Sequence, residues 1–249
     1  MIQMLKGAAT WTGSALLDLF YPPQCYHCEA PLVGEGLRLL CPSCLRALVR
    51  ARIRGPLCPV CGRPYADDPL QSSPCLGCQT RRPHFDVARS VFAYAGPAAS
   101  IVKGFKFDGQ FFLGGLLMRL ALERGWLGAE LRGFDCAVPV PLHPRRERER
   151  GYNQAALLAQ VVARCAGAPL LQRVLMRRRY TSQQTRLPSD ARWENVRGAF
   201  SARRRVDGAH MLVVDDVMTT GATASECARM LKQAGAARVS VLTLTRTQA

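Results

Sequence analysis

Residues 211–223 read MLVVDDVMTTGAT. Four apolar residues run into two adjacent aspartates, Asp215 and Asp216. Two more apolar residues follow, Val217 and Met218, and then Thr219, Thr220, Gly221, Ala222 and Thr223. An apolar run of this length, bounded by a glycine turn, reads as a buried strand. The next residues, ASECARMLKQAG, have helical spacing and end on Gly235. The stretch is therefore a strand–turn–helix junction.

Working outward, the surrounding chain alternates in the same way. VARSVFAY (87–94) reads as a strand and Gly96-Pro97 as a turn. LGGLLMRLALERG is helical, with Gly125 as its stop. FDCAVPVPLHP is a short strand ending in prolines. NQAALLAQVVARCAG is a helix closed by Gly167, and RVSVLTLTR is a last strand. Alternating strands and helices predict an α/β fold, a mostly parallel sheet covered on both faces. Ligands of such sheets bind beyond the carboxyl ends of strands, at helix N-termini. Residues 215–223 occupy that place. Backbone N–H groups at a helix N-terminus attract an anion, the threonine hydroxyls add donors, and Gly221 allows close approach. No lysine follows the glycine, which disfavours a nucleoside triphosphate. Carboxylates suit a sugar diol or hydrated Mg²⁺. A diol a short distance from a monophosphate describes a ribose 5-phosphate.

The amino-terminal third has a different texture. Of eleven cysteines, eight form four Cys-x-x-Cys pairs: Cys25/Cys28, Cys41/Cys44, Cys58/Cys61 and Cys75/Cys78. The gaps between pairs are twelve, thirteen and thirteen residues. Two such turns supply the tetrahedral sulfur set that zinc prefers. Residues 25–44 and 58–78 read as a duplicated ribbon unit with two structural zinc sites. Linear use of the pairs gives Cys25/28/41/44 and Cys58/61/75/78, while a cross-braced arrangement swaps the middle pairs. His27, inside a pair, is a lesser ligand candidate. Disulfides are disfavoured without a secretory leader, and a redox motif would occur once at a βα junction. Cys136, Cys165 and Cys227 sit in apolar contexts and read as inert core thiols. The texture changes near residue 84, so the expected organisation is residues 1–83, an N-terminal helix plus the zinc module, and residues 84–249, the α/β domain. Small ribbons bury little apolar surface, so metal removal is expected to unfold roughly the first third of the chain.

Charge points to anionic partners. Lys and Arg number 34 against 18 Asp and Glu, a net +16. The excess concentrates in residues 143–205, with fifteen Arg against four acids, whereas residues 1–83 hold nine basic and five acidic residues. No membrane span is expected, because Lys6, Ser14 and Asp18 interrupt the first apolar run. That run lacks a secretory pattern, so the expected compartment is the cytoplasm.

The pattern of apolar residues, two acids, two apolar residues and Thr-Thr-Gly-x-Thr resembles the phosphoribosyl pyrophosphate (PRPP) signature of type I phosphoribosyltransferases. VPVPLHPRRERERGYNQAALLA, YTSQQTRLPSDARWENVRGAF and the amino-terminal cysteine module together resemble the ComF/GntX family. The resemblance covers about the whole chain. It implies a phosphoribosyltransferase-like fold with a glycosyltransferase-class activity, and PRPP bound with Mg²⁺. Asp215, Asp216 and Val217 would meet the ribose, and Thr219, Thr220, Gly221, Ala222 and Thr223 its 5-phosphate. Pro141, Leu142, His143, Arg145 and Arg146 would form the diphosphate-side loop, with the Arg148/Arg150 pair nearby. Asp215, Asp216 and Arg192 would be catalytic, and Thr181, Gln184, Arg192 and Asn195 part of a closing flap. The family resemblance further implies a role in DNA uptake and natural transformation, with single-stranded DNA and DNA-uptake proteins as partners. A phosphoribosyltransferase of nucleotide or related metabolism with no DNA role is the alternative, and a metal-linked scaffold is a third. The aromatics accompanying the basic segment are Tyr152, Tyr180, Trp193 and Phe200. They permit base stacking without specifying it.

Overall fold

The structure is a computed structural model and describes residues 22–32, 39–65, 72–126, 128–181 and 188–247. The first-helix reading, over residues 1–21, lies outside the described residues. The chain forms two compact units, Met1–Arg50 and Ala51–Ala249. The texture change at residue 84 is therefore not where compactness divides the chain. Residues 51–53 pair with the first strand: Ile53 N–H donates to Val91 O (2.9 Å), and Ala93 N–H donates to Ala51 O (2.8 Å).

In the first unit, Gln24 and Pro31 bridge antiparallel around the Cys25/Cys28 turn. Cys25 N–H donates to Ala30 O (2.8 Å), and Glu29 N–H donates to Cys25 O (2.8 Å). Helix α1 (Pro42–Arg50) then carries Cys44 inward. The second unit opens with the same construction. Leu57 bridges Pro64, Cys58 N–H donates to Arg63 O (2.8 Å), Gly62 N–H donates to Cys58 O (2.9 Å), and helix α2 (Leu76–Thr80) carries Cys78. Around their first Cys-x-x-Cys turns the two ribbons share the same bridge and the same pair of backbone hydrogen bonds.

The sheet follows. Its strands are β1 (Val87–Ala93), β2 (Cys136–Pro139), β5 (His210–Met218) and β6 (Arg238–Arg246), all parallel, in the order β1-β6-β5-β2. A parallel bridge from Ala137 to Leu170 extends the β2 edge by one contact. β6 is central and buried along almost its whole length, as its mixture of valine, leucine and threonine requires. Its hydroxyls are satisfied internally: Thr243 meets Ser90 (2.6 Å), and Thr245 donates to Asp216 O (3.2 Å).

Helices cover both faces. α3 (Gly96–Phe107), α4 (Phe111–Glu123) and α6 (Gln154–Ala166) pack on one another and on the sheet. α8 (Ala222–Gln233) covers the other face together with α7 (Ser189–Val196) and a two-stranded antiparallel sheet, β3 (Leu175–Arg177) with β4 (Phe200–Ala202). The fold is the expected α/β arrangement, a parallel sheet with helices on both faces, with two four-cysteine ribbons preceding it in the chain. α6 shows why the periodicity was readable. Its buried positions, Ala155, Leu158, Ala159, Val162 and Ala163, make one stripe, Asn153 caps its start, and Gly167 (φ 65°) ends it.

Two local expectations fail. Gly96-Pro97 does not end in a turn but opens α3, with the proline in the first helical turn, where its missing N–H costs nothing. Cys165 is exposed on α6, whereas Cys136 and Cys227 are buried. Among the described residues, no helix is long and apolar enough to cross a membrane.

Candidate functional site

β5 runs through both aspartates before the turn begins at Thr219. At the carboxyl edge of the sheet its end forms the floor of a cavity of about 650 Å³. Asp215, Asp216, Val217, Thr219 and Thr223 line it from β5 and the turn. Gly221 has φ 83°, a left-handed conformation that any side chain would strain, and it starts α8. The turn holds itself through Ser225 N–H donating to Gly221 O (2.8 Å).

The facing wall comes from segments far away in sequence. Leu142, Arg146, Glu149, Arg150, Tyr152, Asn153 and Gln154 all line the cavity. The HPRRERER segment is a short helix, α5 (Pro144–Arg150), capped by His143 and closed by left-handed Gly151. Asn153 then does two things: its side chain caps α6 through Ala155 N–H (3.0 Å) and donates to Val140 O (3.1 Å). That bond pins the 140–153 connection against the strand end. Pro141 lines an adjoining groove, while His143 and Arg145 lie at the rim. His143 packs edge-on to Tyr180 (5.2 Å), and Arg145 stacks on Tyr180 while pairing with Glu149 (2.9 Å).

Three groups in the cavity, Lys106, Arg177 and Gln154, carry no site signal in the sequence. Lys106, from the end of α3, pairs with Asp216 at 3.0 Å. Arg177, from β3, is 8% exposed, and its Nε has no hydrogen-bond partner. Gln154 is 2% exposed, and its Nε2 likewise has none. Tyr180 carries both Arg145 and Arg146 over its ring, each at 5.2 Å. Buried donors without acceptors are rare, and here two of them line one cavity. Nothing in the local pattern marked Arg177 or Lys106, since each sits in a run of basic residues or on a helix of ordinary composition.

Of the expected flap residues, Thr181 is buried. Its carbonyl accepts from Arg146 Nη2 (3.0 Å), and its hydroxyl from Arg177. Gln184 lies outside the described residues. Arg192 and Asn195 lie on α7 and are not among the described residues that line the cavity.

The electrostatics of the floor are unequal. Burial, and then repulsion from Asp216, push Asp215 up to about 7, with Lys106 acting in the opposite direction. An acid whose folded pKa is raised gives stability that is complete below its unfolded value and lost as pH rises through its folded value. The difference in melting temperature between the wild type and Asp215→Asn should therefore widen from pH 4 to pH 7.5, with the wild type losing ground. A difference that stays flat across this range would show that Asp215 ionises normally.

All four Sγ atoms of Cys25, Cys28, Cys41 and Cys44 lie within 4.8 Å of one another, as do those of Cys58, Cys61, Cys75 and Cys78. Geometry therefore selects the linear pairing. Each set is an all-sulfur tetrahedron in the making, the donor set of a structural zinc ion. His27 belongs to neither set.

The description "Double zinc ribbon domain" matches residues 16–81, and "Phosphoribosyl transferase domain" matches residues 151–249. The DNA utilization protein YhgH of Salmonella typhimurium is 37% identical over 232 residues, which is 92% of this chain and 99% of that protein. Competence protein F of Haemophilus influenzae is 29% identical over 235 residues, 91% and 98% of the two chains. The chain belongs to the ComF family. A further ComF relative, competence protein ComFC of Bacillus subtilis, is 29% identical over 219 residues, 84% of each chain. Among solved structures, the glutamine PRPP amidotransferase of B. subtilis aligns over 52% of this chain and 25% of its own at 25% identity, with a TM-score of 0.35, too low to bear on the site.

Proposed function

We propose that this ComF-family chain binds PRPP with Mg²⁺ in the cavity at the end of β5 and acts in the handling of single-stranded DNA during uptake. The observation that carries the ligand reading is the pairing of two carboxylates and a hydroxyl-rich turn with two buried, unpartnered cationic or amide donors in one cavity. In this reading Asp215 and Asp216 accept from the ribose hydroxyls, Thr219–Thr223 receive the 5-phosphate, and Arg146, Arg150 and Arg177 face the diphosphate. Arginine suits forked contacts to phosphate. Among the described residues, no carboxylate cluster is preformed for a metal ion. Mg²⁺ therefore enters on the diphosphate, as it does with most nucleotide-type ligands. Phosphoribosyl transfer would need positioning and stabilisation of a cationic anomeric centre, which the carboxylate pair is placed to supply.

The DNA reading draws on the names of the relatives and on one structural observation. Phe107, Phe111 and Phe112 are 66%, 55% and 61% exposed around the α3–α4 turn, and Arg150 stacks on Phe107 (5.4 Å) at the cavity rim. Exposed aromatics beside arginines are what single-stranded nucleic acid requires. Calorimetry with PRPP and Mg²⁺, together with fluorescence anisotropy of a labelled oligonucleotide, tests both halves. PRPP should bind in the micromolar range or tighter. Oligonucleotide affinity should fall by about 10³-fold or more between 50 and 200 mM salt, the loss typical of six or more phosphate contacts. PRPP binding without DNA binding would favour a phosphoribosyltransferase of small-molecule metabolism. Cytoplasmic placement belongs to this same proposal.

A further inference from the structure

The two ribbons are alike internally but not in their surroundings. The first belongs to the unit Met1–Arg50, while the second shares a core with the sheet. Its first turn is joined to β1 by Ala88 N–H donating to Val60 O (2.7 Å). Gly62 approaches so closely that an added Cβ would lie 2.5 Å from Ala88 O.

Two residues run from this cysteine centre to the phosphate-type turn. Arg246, the last residue of β6, is 4% exposed. Its Nη1 donates to Cys61 O and lies 3.4 Å from Met218 Sδ, and its Nη2 lies 3.6 Å from Cys61 Sγ. Met218 immediately precedes Thr219, and its carbonyl accepts from Thr247 N–H (3.0 Å), a residue that lines the cavity. Phe85 is the second link. It is buried in the same core cluster as the second set of cysteines, and its ring is 3.6 Å from where a Cβ on Gly221 would stand. A zinc ion held by four thiolates carries net negative charge, and Arg246 is the buried cation touching it.

We propose that Arg246 and Phe85 are positioning residues through which the Cys58/Cys61/Cys75/Cys78 zinc centre sets the geometry of the Thr219–Thr223 turn. Zinc at this centre and phosphate-ester binding at the turn then favour one another. Coupling between two sites is reciprocal, so it can be read from either end. The inference rests on PRPP being the ligand.

The experiment follows zinc release from the full-length protein into a chromogenic zinc chelator, with and without PRPP and Mg²⁺. One of the two zinc ions should leave at least fivefold more slowly when PRPP is bound, and the other at an unchanged rate. The Cys41→Ser variant, which lacks the first centre, should keep the protected phase. From the other end, Arg246→Met should retain two zinc ions yet bind PRPP at least tenfold more weakly, and Arg246→Lys should recover part of the loss. If the wild type binds PRPP but both ions leave at unchanged rates, the coupling is wrong. If PRPP protects equally in Arg246→Met, Arg246 is not on the path. If the wild type binds no PRPP at all, the ligand reading fails first, and the coupling falls with it. Should Arg246→Met fail to fold, the wild-type release rates still decide.

Discussion

The double variant Asp215→Ala/Asp216→Ala is expected to lose PRPP binding by at least 100-fold while remaining folded. Each carboxylate would accept a charge-assisted hydrogen bond from a ribose hydroxyl, about 1.5–3 kcal/mol apiece. Two such bonds amount to about 3–6 kcal/mol, at least two decades of affinity. Stability should move little, because the pair is a liability in the ligand-free protein. Burial and Asp216 push Asp215 up to about 7, and Lys106 offsets that repulsion through its ion pair with Asp216. Calorimetry and a thermal melt on the same preparation separate the two effects. Wild-type affinity in the double variant would place the ligand elsewhere. Arg192→Ala is a useful contrast: Arg192 does not line the cavity among the described residues, so it should weaken PRPP binding far less than the double variant does.

The second large effect distinguishes the two cysteine centres. Cys61→Ser should unfold the sheet-containing unit at moderate temperature, whereas Cys41→Ser should leave its melting transition in place. Cys58, Cys61, Cys75 and Cys78 lie in one buried cluster with Phe85, Ala88, Met218, Val239 and Val241. A structural zinc centre contributes about 10–16 kcal/mol of binding energy in small peptides, comparable to the whole stability of a domain. Losing it here also removes the Cys61 Sγ that lies beside the buried Arg246 guanidinium. Zinc stoichiometry and differential scanning calorimetry decide the matter. Equal damage from the two variants would mean that the centres are equivalent. The expectation that metal removal unfolds roughly the first third of the chain widens accordingly, because the second ribbon is part of the sheet's core.

Much of this architecture was visible in the chain. β6 and α8 follow from clean periodicity and glycine stops, and the cysteine spacing pointed to two sulfur sets while leaving their pairing open. What escaped was long-range. The pairing of Lys106 with Asp216 joins residues 110 positions apart, and no local pattern encodes it. Arg177 lay in a run of three arginines that reads equally well as solvated surface; only β3 pairing against β4 turns it inward. Gly96-Pro97 was misread because the same dipeptide suits a turn and a helix start. The compact boundary at Arg50 was hidden because the second ribbon's texture matches the first, while its packing does not.

Glu29 and Gly62 hold the same position in the two ribbons, and both adopt the left-handed conformation, with φ 60° and 69°. The first tolerates a long charged side chain there. The second faces the backbone of β1 and has no room for even a methyl group. One turn, used twice, therefore tolerates different residues: the first copy accepts a side chain at this position, and the second does not. A chimera carrying the first ribbon's turn in the second's place would keep every metal ligand and still fail to seat against the sheet.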